Sequence, residues 1–184
     1  MTAYTSPEHI IGEVKRIVES DKRSEIQLGA NGGNSILLVC PPEQESLFIT
    51  KLQELLEERE FTLINLNEIL VSFVAKTENP AALFEMLKGS VHQLFKSPEG
   101  EERHDLFSFI MAEIARAYAE NKVPVLIRAG ALYGSGIDNI HLMENELVMK
   151  SNKPLIILYP ATREDDRLMF LNTRPASKYR CMII

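Results

Sequence analysis

The sequence predicts an α/β fold of three layers, in which a mainly parallel sheet of about five strands carries helices on both faces. Short continuous apolar runs alternate with amphipathic stretches along most of the 184 residues. Apolar runs of this kind are typical of strands covered on both faces, and their alternation with helices implies right-handed crossovers and a parallel sheet. We therefore predict a single α/β domain over residues 1–184, with a helical insert at about 67–121.

The predicted strands are short apolar segments bounded by polar or loop-forming residues. They are Ile36–Cys40, Phe61–Leu66, Val123–Ile127, Pro154–Tyr159 and Tyr179–Ile183. Pro41 and Pro42 follow the first of them, and Pro160 follows the fourth. Because proline has no N–H to donate to a ladder, we expect each of these two strands to end at its proline.

The predicted helices have apolar residues at helical spacing. Ser6 and Pro7 are suitable residues for the start of the first helix, since serine is a favoured cap and proline is tolerated in the first turn. Later helices are expected at Glu43–Arg59, Glu68–Ala75 with Asn67 as its cap, Ala81–Phe95, Asp105–Glu120 and Ile137–Met149. The polar, glycine-containing stretch Lys22–Asn34 is predicted to be a loop.

Composition and charge narrow the possible functions. Hydrophobic residues make up 45% of the chain and charged residues 25%, which is ordinary for a globular protein. The formal net charge of -6 argues against a chain-wide nucleic-acid footprint, which needs a basic surface. The first residues lack a secretory pattern and no apolar run is long enough for a membrane span. We therefore expect a cytoplasmic protein.

The stretch "GANGGNSILLVCPP" at residues 29–42 places three glycines beside a predicted strand. A phosphate loop needs the opposite order, because the strand must come first, then the glycines, then a helix N-terminus. No Gly-Lys-Ser/Thr follows the strand either. We therefore predict no ATP hydrolysis, no catalytic residue and no cofactor.

The stretch "VLIRAGALYGSG" at residues 125–136 does have the order strand, glycines, helix. Ligands of open α/β sheets usually bind beyond the carboxyl ends of the strands. The candidate ligand-binding residues are Arg128, Gly130, Tyr133, Gly134 and Ser135. Two alternatives stay open: a tight turn in which Leu132 and Tyr133 pack on the sheet edge, and a salt bridge from Arg128 to a neighbouring loop.

Metal and thiol chemistry have little support in the sequence. His141 and Glu144 lie three residues apart on a predicted helix, but a metal site needs at least three ligands. Cys40 and Cys181 stand inside apolar runs, where cysteine usually packs as a small hydrophobic residue. We predict no metal site.

The tail Ala161–Ile184 is the only basic region of interest, with five basic and three acidic residues. Its charge could favour an acidic protein partner or nucleic acid, although few aromatic residues are interleaved for stacking on bases. The candidate partner contacts are Arg163, Arg167, Arg174 and Arg180.

The ordered succession of segments resembles the BrxB family, a component of bacterial phage-exclusion (BREX) defence systems. The segments are "ILLVCPPEQE", "FTLINLNEIL", "VLIRAGALYGSGIDNIHLMENEL", "KPLIILYPAT" and "LMFLNTRPASKYRCMII". These segments are spread from residue 36 to residue 184, and the resemblance extends over nearly the whole chain. The resemblance implies a small α/β domain with no established catalytic site, which acts as a scaffold or adaptor. The alkaline-phosphatase-like protein PglZ is the partner that it implies.

Three functions therefore stay open at the level of the sequence. The first is a non-enzymatic protein-interaction component of a BREX-type system. The second is a degenerate nucleotide- or phosphate-ligand-binding domain without hydrolysis. The third is a nucleic-acid accessory protein that uses the arginines of the tail.

Overall fold

The computed structural model describes residues 6–19, 23–86, 88–90, 92–97, 104–164, 167–176 and 180–184. It confirms a mainly parallel α/β sheet with helices on both faces. The strands are β1 (Ser35–Cys40), β2 (Phe61–Asn65), β3 (Val123–Ile127), β4 (Leu155–Glu164), β5 (Arg167–Phe170), β6 (Arg174–Pro175) and β7 (Met182–Ile183). Strands β2, β3, β4, β1 and β7 lie side by side in that order, and all of them run parallel.

The described helices lie in two layers. They are α1 (Pro7–Glu19), α2 (Arg23–Gly29), α3 (Glu45–Leu55), α4 (Leu66–Lys76), α5 (Pro80–Met86), α6 (His92–Phe95), α7 (Leu106–Ala119), α8 (Asn139–Met143) and α9 (Glu146–Lys150). Short 3₁₀ turns cover Pro42–Gln44 and Ala129–Leu132. Helices α4 to α7 occupy the connection between β2 and β3, which is where the sequence predicted an insert.

The alternation of side chains along the strands separates two apolar cores. Ile36 and Leu38 of β1 pack with the buried face of α1, α2 and α3, whereas Leu37 packs with α4, α7, α8 and α9. Successive strand residues point to opposite faces of a sheet, so a continuous apolar run fills both cores. This is the physical reason that short apolar runs predicted the strands correctly.

The largest difference from the predicted elements follows Pro160. The strand does not end there, because β4 continues to Glu164 and pairs antiparallel with β5, which in turn pairs with β6. Pro160 lies where β4 changes partner, opposite the last residue of β1, and its carbonyl oxygen accepts a hydrogen bond from Leu171 N at 2.9 Å. The expectation that proline ends this strand was therefore wrong.

Several helix boundaries also differ. The predicted loop Lys22–Asn34 contains α2, a helix too short for a clear apolar period, which buries Ile26. Asn65, rather than Asn67, caps α4 by accepting hydrogen bonds from the backbone of Asn67 and Glu68. The segment predicted as the helix Glu43–Arg59 begins with the 3₁₀ turn Pro42–Gln44 and continues as α3, which ends at Leu55.

Two predicted helices are each divided into two. The segment predicted as Ala81–Phe95 forms α5 and α6, with Gly89 between them at φ +93°. The segment predicted as Ile137–Met149 forms α8 and α9, because the Asn145 side chain caps the second helix by accepting from Leu147 N. The last strand covers only Met182–Ile183, and Tyr179 of the predicted strand lies outside the described residues.

Residues 29–34, the part of the glycine-containing stretch that precedes β1, lie at the amino edge of the sheet. A Cβ on Gly33 would lie 1.9 Å from the carbonyl oxygen of Arg180, so a side chain has no room there. Asn34 is buried, and its Nδ2 atom lies 2.9–3.0 Å from the carbonyl oxygens of Val148, Ser151 and Lys153. The glycine and asparagine before β1 therefore join this edge of the sheet to the chain before β4 and β7.

Within the part of the chain that the structure describes, we find no helix that combines the length and the apolar character of a membrane span.

Candidate functional site

The predicted ligand loop begins at the carboxyl end of β3, where Arg128 adopts a left-handed conformation. Its φ of +62° is unusual for a residue with a side chain, and such backbone strain clusters at functional sites. The guanidinium reaches across the sheet edge to α3, with Nη1 3.1 Å from Glu45 Oε2 and Nη2 3.1 Å from Ser46 Oγ. The salt bridge that the sequence left open as an alternative is thus present.

The contact with Glu45 bears directly on phosphate binding at Arg128. An anion at this guanidinium would have to compete with a carboxylate that is already in place. The second oxygen of Glu45 is buried and has no hydrogen-bond partner among the described residues. Displacing Arg128 would therefore leave the Glu45 carboxylate without its positively charged partner, which is costly at a part-buried position.

The other predicted ligand residues separate into two groups. Gly130 lies against Leu171, which is 3.6 Å from the position of an added Cβ. Ser135 is buried, and its hydroxyl donates to Leu132 O at 2.7 Å and accepts from Ile137 N at 3.1 Å. Both residues thus have a structural place in the loop. Tyr133 and Gly134, by contrast, line a cavity.

This cavity has a volume of about 280 Å³ and lies beyond the carboxyl end of β3, beside Tyr159, where the parallel part of β4 ends. One wall is aromatic, since the rings of Tyr159 and Phe170 stack with centroids 4.8 Å apart. Its further lining residues are His92, Ala129, Leu132, Gly136, Ile137, Asp138, Asn139, Arg174 and Pro175. The position agrees with the usual location of ligands in open α/β sheets.

Helix α6 closes one side of the cavity through a close approach at Gly136. This glycine has a φ of +79°, and an added Cβ would lie 3.1 Å from the Cβ of His92. Glycine is suited to both requirements, because it tolerates positive φ and leaves room for the neighbouring side chain. The loop after β3 is thereby held against the segment inserted between β2 and β3.

The start of α8 supplies the polar part of the cavity. Asn139 is only 7% exposed, and its Oδ1 atom is buried without a hydrogen-bond partner among the described residues. Beside it, the backbone N–H of Asp138 donates to His141 Nδ1 at 3.0 Å. Burial lowers the pKa of His141, and the nearby charge of Lys96 lowers it further, although Asp138 opposes both effects. A neutral imidazole fits its observed role as acceptor.

A charge pair lies at the rim of the cavity. The Nη1 atom of Arg174, on β6, is 3.4 Å from Oδ1 of Asp138. Both side chains are largely exposed to solvent, so their attraction contributes little to stability. Its main effect is that the guanidinium already has an anionic partner.

The four tail arginines do not form one patch. Arg163 and Arg167 lie on the β4–β5 hairpin, and Arg174 on the adjoining β6, beyond the carboxyl end of β1. The backbone of Arg180 instead contacts Gly33 at the amino edge. Lys178, which contributed to the basic count of the tail, lies outside the described residues.

The two thiols lie in the apolar cores. Burial raises the pKa of Cys40 to about 12, with smaller contributions from Glu45 and Glu43, and burial also raises the pKa of Cys181 to about 12. A thiol protonated at neutral pH is a poor nucleophile. Among the residues that the structure describes, no group of three or more His, Cys, Asp or Glu side chains could hold a metal ion.

Sequence reasoning missed most residues of the cavity, among them Asn139, Tyr159 and Phe170. The first was hidden because the segment 137–149 was predicted as one continuous helix. The aromatic pair was hidden because the strand was expected to end at Pro160, so that Phe170 had no predicted partner. The available signal was the apolar run Leu168–Phe170, which was not assigned to any predicted strand.

Comparison of the chain with known protein families, with curated proteins and with solved structures gives no match. The resemblance to the BrxB family therefore stays a prediction.

Proposed function

We propose that the chain is a non-enzymatic protein-interaction component of a BREX-type antiphage system, which acts in the cytoplasm with a PglZ-like protein as its partner. The ordered resemblance to the BrxB family suggests the system and the partner. A surface formed by the inserted helices suggests where the contact lies. The two supports are independent, because the resemblance was drawn from segments that mostly lie outside the insert.

The observation that carries the proposal is the incomplete burial of the helical lobe, which we define as α4, α5 and α6. Among the described residues of this lobe, Leu66 is the one buried apolar side chain. Val71 is 60% exposed and Met86 is 81% exposed. The other large apolar side chains in the described part of the lobe are half-buried. The lobe therefore has little core of its own.

Three phenylalanines stand among the half-buried side chains of the lobe. The ring of Phe95 lies 6.1 Å from that of Phe73 and 6.5 Å from that of Phe84, measured between centroids. A cavity of about 330 Å³ opens beside them, between α4, α6 and the start of α7, with Leu83 and Phe109 among its lining residues. Partly exposed aromatic side chains beside a groove are typical of protein-contact surfaces.

The lobe can be tested by charge substitution. Val71→Asp and Met86→Asp place a carboxylate on the exposed surface, where it does not disturb a core but must be desolvated when a partner binds. We expect each to weaken the affinity for a PglZ-like protein from the same organism by at least about tenfold. Leu28→Asp is the matched control, because Leu28 is 80% exposed on α2 in the opposite layer.

Isothermal titration calorimetry with the purified pair gives the dissociation constants. Binding by the wild type and the Leu28→Asp variant, with loss in both lobe variants, would support the proposal. The absence of binding by the wild type, or an equal loss in all three variants, would contradict it. Thermal unfolding of each variant checks that its fold is retained.

The two other candidate functions have weaker support from the contacts. The nucleotide or phosphate ligand was expected at Arg128, Gly130, Tyr133, Gly134 and Ser135. The guanidinium of Arg128 already pairs with Glu45. A nucleic-acid accessory role was expected from the tail arginines, which are divided between the two edges of the sheet. Tyr133 and Gly134 do line a cavity, but no contact at the described residues identifies a ligand, and both functions stay predictions.

A further inference from the structure

The cavity beside the helical lobe has an apolar lining to which four helices contribute. Phe73 of α4, Leu83 of α5, Leu94 of α6 and Phe109 of α7 line it, and all of them are half-buried. The rings of Phe73 and Phe109 meet edge to face, with centroids 5.8 Å apart and an interplanar angle of 69°. We call this cavity the lobe groove. An apolar side chain that enters it gains contacts from several helices at once.

An exposed cation lies at the lobe groove without a carboxylate to balance it. The ammonium of Lys76, the last residue of α4, is 5.7 Å from the centroid of the Phe109 ring. No Asp or Glu of the described residues lies within ion-pair distance of this ammonium, and that includes Glu78, which follows shortly in the chain. An exposed cation–π contact is weak. The ammonium is therefore available to an anion that comes from outside the chain.

The other ionisable side chains that line the groove do not cancel this charge. Asp105 is only 7% exposed, and its carboxylate oxygens accept from Ser97 N at 2.6 Å and from Ser108 N at 2.8 Å. It therefore caps α7 rather than pairing with Lys76. His104 is exposed, and an imidazole is either neutral or positive. The accessible charge at the groove is therefore positive.

We propose that the lobe groove binds an acidic, aromatic segment of the partner protein, in which an aromatic side chain enters the groove and a neighbouring carboxylate pairs with Lys76. The inference rests on the proposed function, because it names the chemistry of the segment that the helical lobe receives. Charge complementarity selects the carboxylate, since a basic residue in the same place would be repelled by the ammonium.

The size of the groove suits one bulky anchor. A volume of about 330 Å³ is at the lower end for small-molecule sites, so a single side chain enters rather than a whole helix. An aromatic anchor is favoured, because a further ring makes offset or edge contacts with Phe73 and Phe109. Interface energy is concentrated in anchors of this kind. We therefore expect affinity to depend on one aromatic residue and its acidic neighbour.

The first experiment lets the full chain select its own ligand. A random-peptide library displayed on phage is selected against the immobilised protein, and the enriched peptides are sequenced. We expect Trp, Phe or Tyr with an Asp or Glu a few positions away. The absence of any enriched sequence, or enrichment of aromatic residues accompanied by Lys or Arg, would overturn the proposal.

The second experiment reverses the charge at the groove. We expect Lys76→Glu to bind the enriched peptide at least about tenfold more weakly, because the two carboxylates repel each other. Lys88→Glu is the matched control, since Lys88 is 82% exposed and pairs with Glu85 at 3.6 Å. Both variants should melt like the wild type, and calorimetry gives the affinities. Equal affinities for the two variants would contradict the pairing with Lys76.

The third experiment fills the groove without touching a buried residue. Gln93 is exposed and lines the groove, so Gln93→Trp places a ring where the anchor of the peptide would lie. Gln27→Trp, at an exposed position of α2 in the opposite layer, is the control. We expect Gln93→Trp to lose most of its affinity for the peptide and Gln27→Trp to keep it. Unchanged binding by Gln93→Trp would contradict the placement of the anchor.

A competition experiment separates this inference from the proposed function. The enriched peptide is added to the complex of the chain with the PglZ-like protein, and we expect it to displace that protein. If the PglZ-like protein binds but is neither displaced by the peptide nor weakened by Lys76→Glu, the chemistry given to the groove is wrong and the proposed function stands. If the peptide binds as expected and the PglZ-like protein does not bind, the proposed partner is wrong and the chemistry of the groove stands.

Discussion

The two ends of the sheet use similar residues in opposite ways. At the amino edge, Gly33 and Asn34 bring three segments together with no room for a further methyl group. At the carboxyl edge, Gly136 and Asn139 belong to a loop that encloses a cavity, and α6 of the helical lobe forms its side. Glycine and asparagine in a sequence therefore do not by themselves distinguish a packed junction from an open site.

The difference lies in the element that comes after each pair of residues. Gly33 and Asn34 precede a strand that is buried on both faces, so the space around them is filled, although Asn34 Oδ1 and Ser35 Oγ are buried without a hydrogen-bond partner among the described residues. Gly136 and Asn139 come after a strand and lead into short helices, which leave space between them. The packed edge should therefore respond strongly to substitution in stability, and the open side should respond mainly in binding.

The strongest effect on stability is expected at Gly33. Gly33→Ala places a methyl group 1.9 Å from the Arg180 carbonyl oxygen, so the two backbone segments must move apart. We expect the free energy of unfolding to fall by about 3 kcal/mol, measured by urea denaturation. Gly12→Ala is the control, because a Cβ there meets nothing within 4 Å inside α1, and it should raise stability by about 0.5 kcal/mol.

A somewhat smaller effect is expected at Asn34. Asn34→Ala leaves the carbonyl oxygens of Val148, Ser151 and Lys153 without their shared donor, and we expect a loss of about 2 kcal/mol. Asn67→Ala, on the exposed first turn of α4, should change stability by less than about 0.5 kcal/mol. Equal unfolding midpoints for the two variants would show that Asn34 does not hold this edge together.

The dependence of stability on pH tests the role of Asp105, which joins the end of the helical lobe to the start of α7. Burial acts to raise its pKa, but hydrogen bonds from Ser97 N and Ser108 N outweigh burial, and the pKa lies below its ordinary value. The resulting stabilisation is present above about pH 4 and is lost as the pH falls through the lowered folded-state pKa. Asp105→Asn keeps a capping oxygen without the charge.

We expect Asp105→Asn to cost about 1 kcal/mol at pH 7 and to flatten the fall in stability on acidification. Thermal unfolding between about pH 6 and pH 2.5 measures both effects. Glu144→Gln, which removes an exposed carboxyl group, is the control. An acid profile of Asp105→Asn that matches that of the wild type would contradict the role given to these hydrogen bonds.

The sequence was sufficient for the five parallel strands and insufficient for β5, β6 and the cavity, and the reason is physical. Runs such as Ile36–Cys40 and Val123–Ile127 fill both cores, so their apolar character alone marks them as central strands. The cavity depends instead on where β4 ends. Pro160 is tolerated because β4 changes partner there, and a change of partner depends on residues far apart in the chain.

The position of Arg128 shows the same limit. Its place after an apolar strand predicted correctly that it stands at the carboxyl edge. Whether it faces a ligand or Glu45 depends on how close the start of α3 lies to the end of β3. Arg128 and Glu45 are 83 residues apart in the chain, so local sequence does not show that they meet.

The smallest effect on stability is expected on the exposed lobe. Met86→Asp should change the free energy of unfolding by less than about 0.5 kcal/mol, because the side chain is already in solvent. A larger loss, measured by urea denaturation, would mean that Met86 supports the fold rather than a contact surface.

Calorimetric titration of the PglZ-like protein with Met86→Asp and Leu28→Asp tests the proposed function most directly. Both substitutions introduce aspartate where the wild-type side chain is about four-fifths exposed, and the two positions lie in opposite layers. We predict that Leu28→Asp binds like the wild type and that Met86→Asp binds at least about tenfold more weakly. Equal affinities for the two variants, or no binding by the wild type, would contradict the assignment of the helical lobe as the interaction surface.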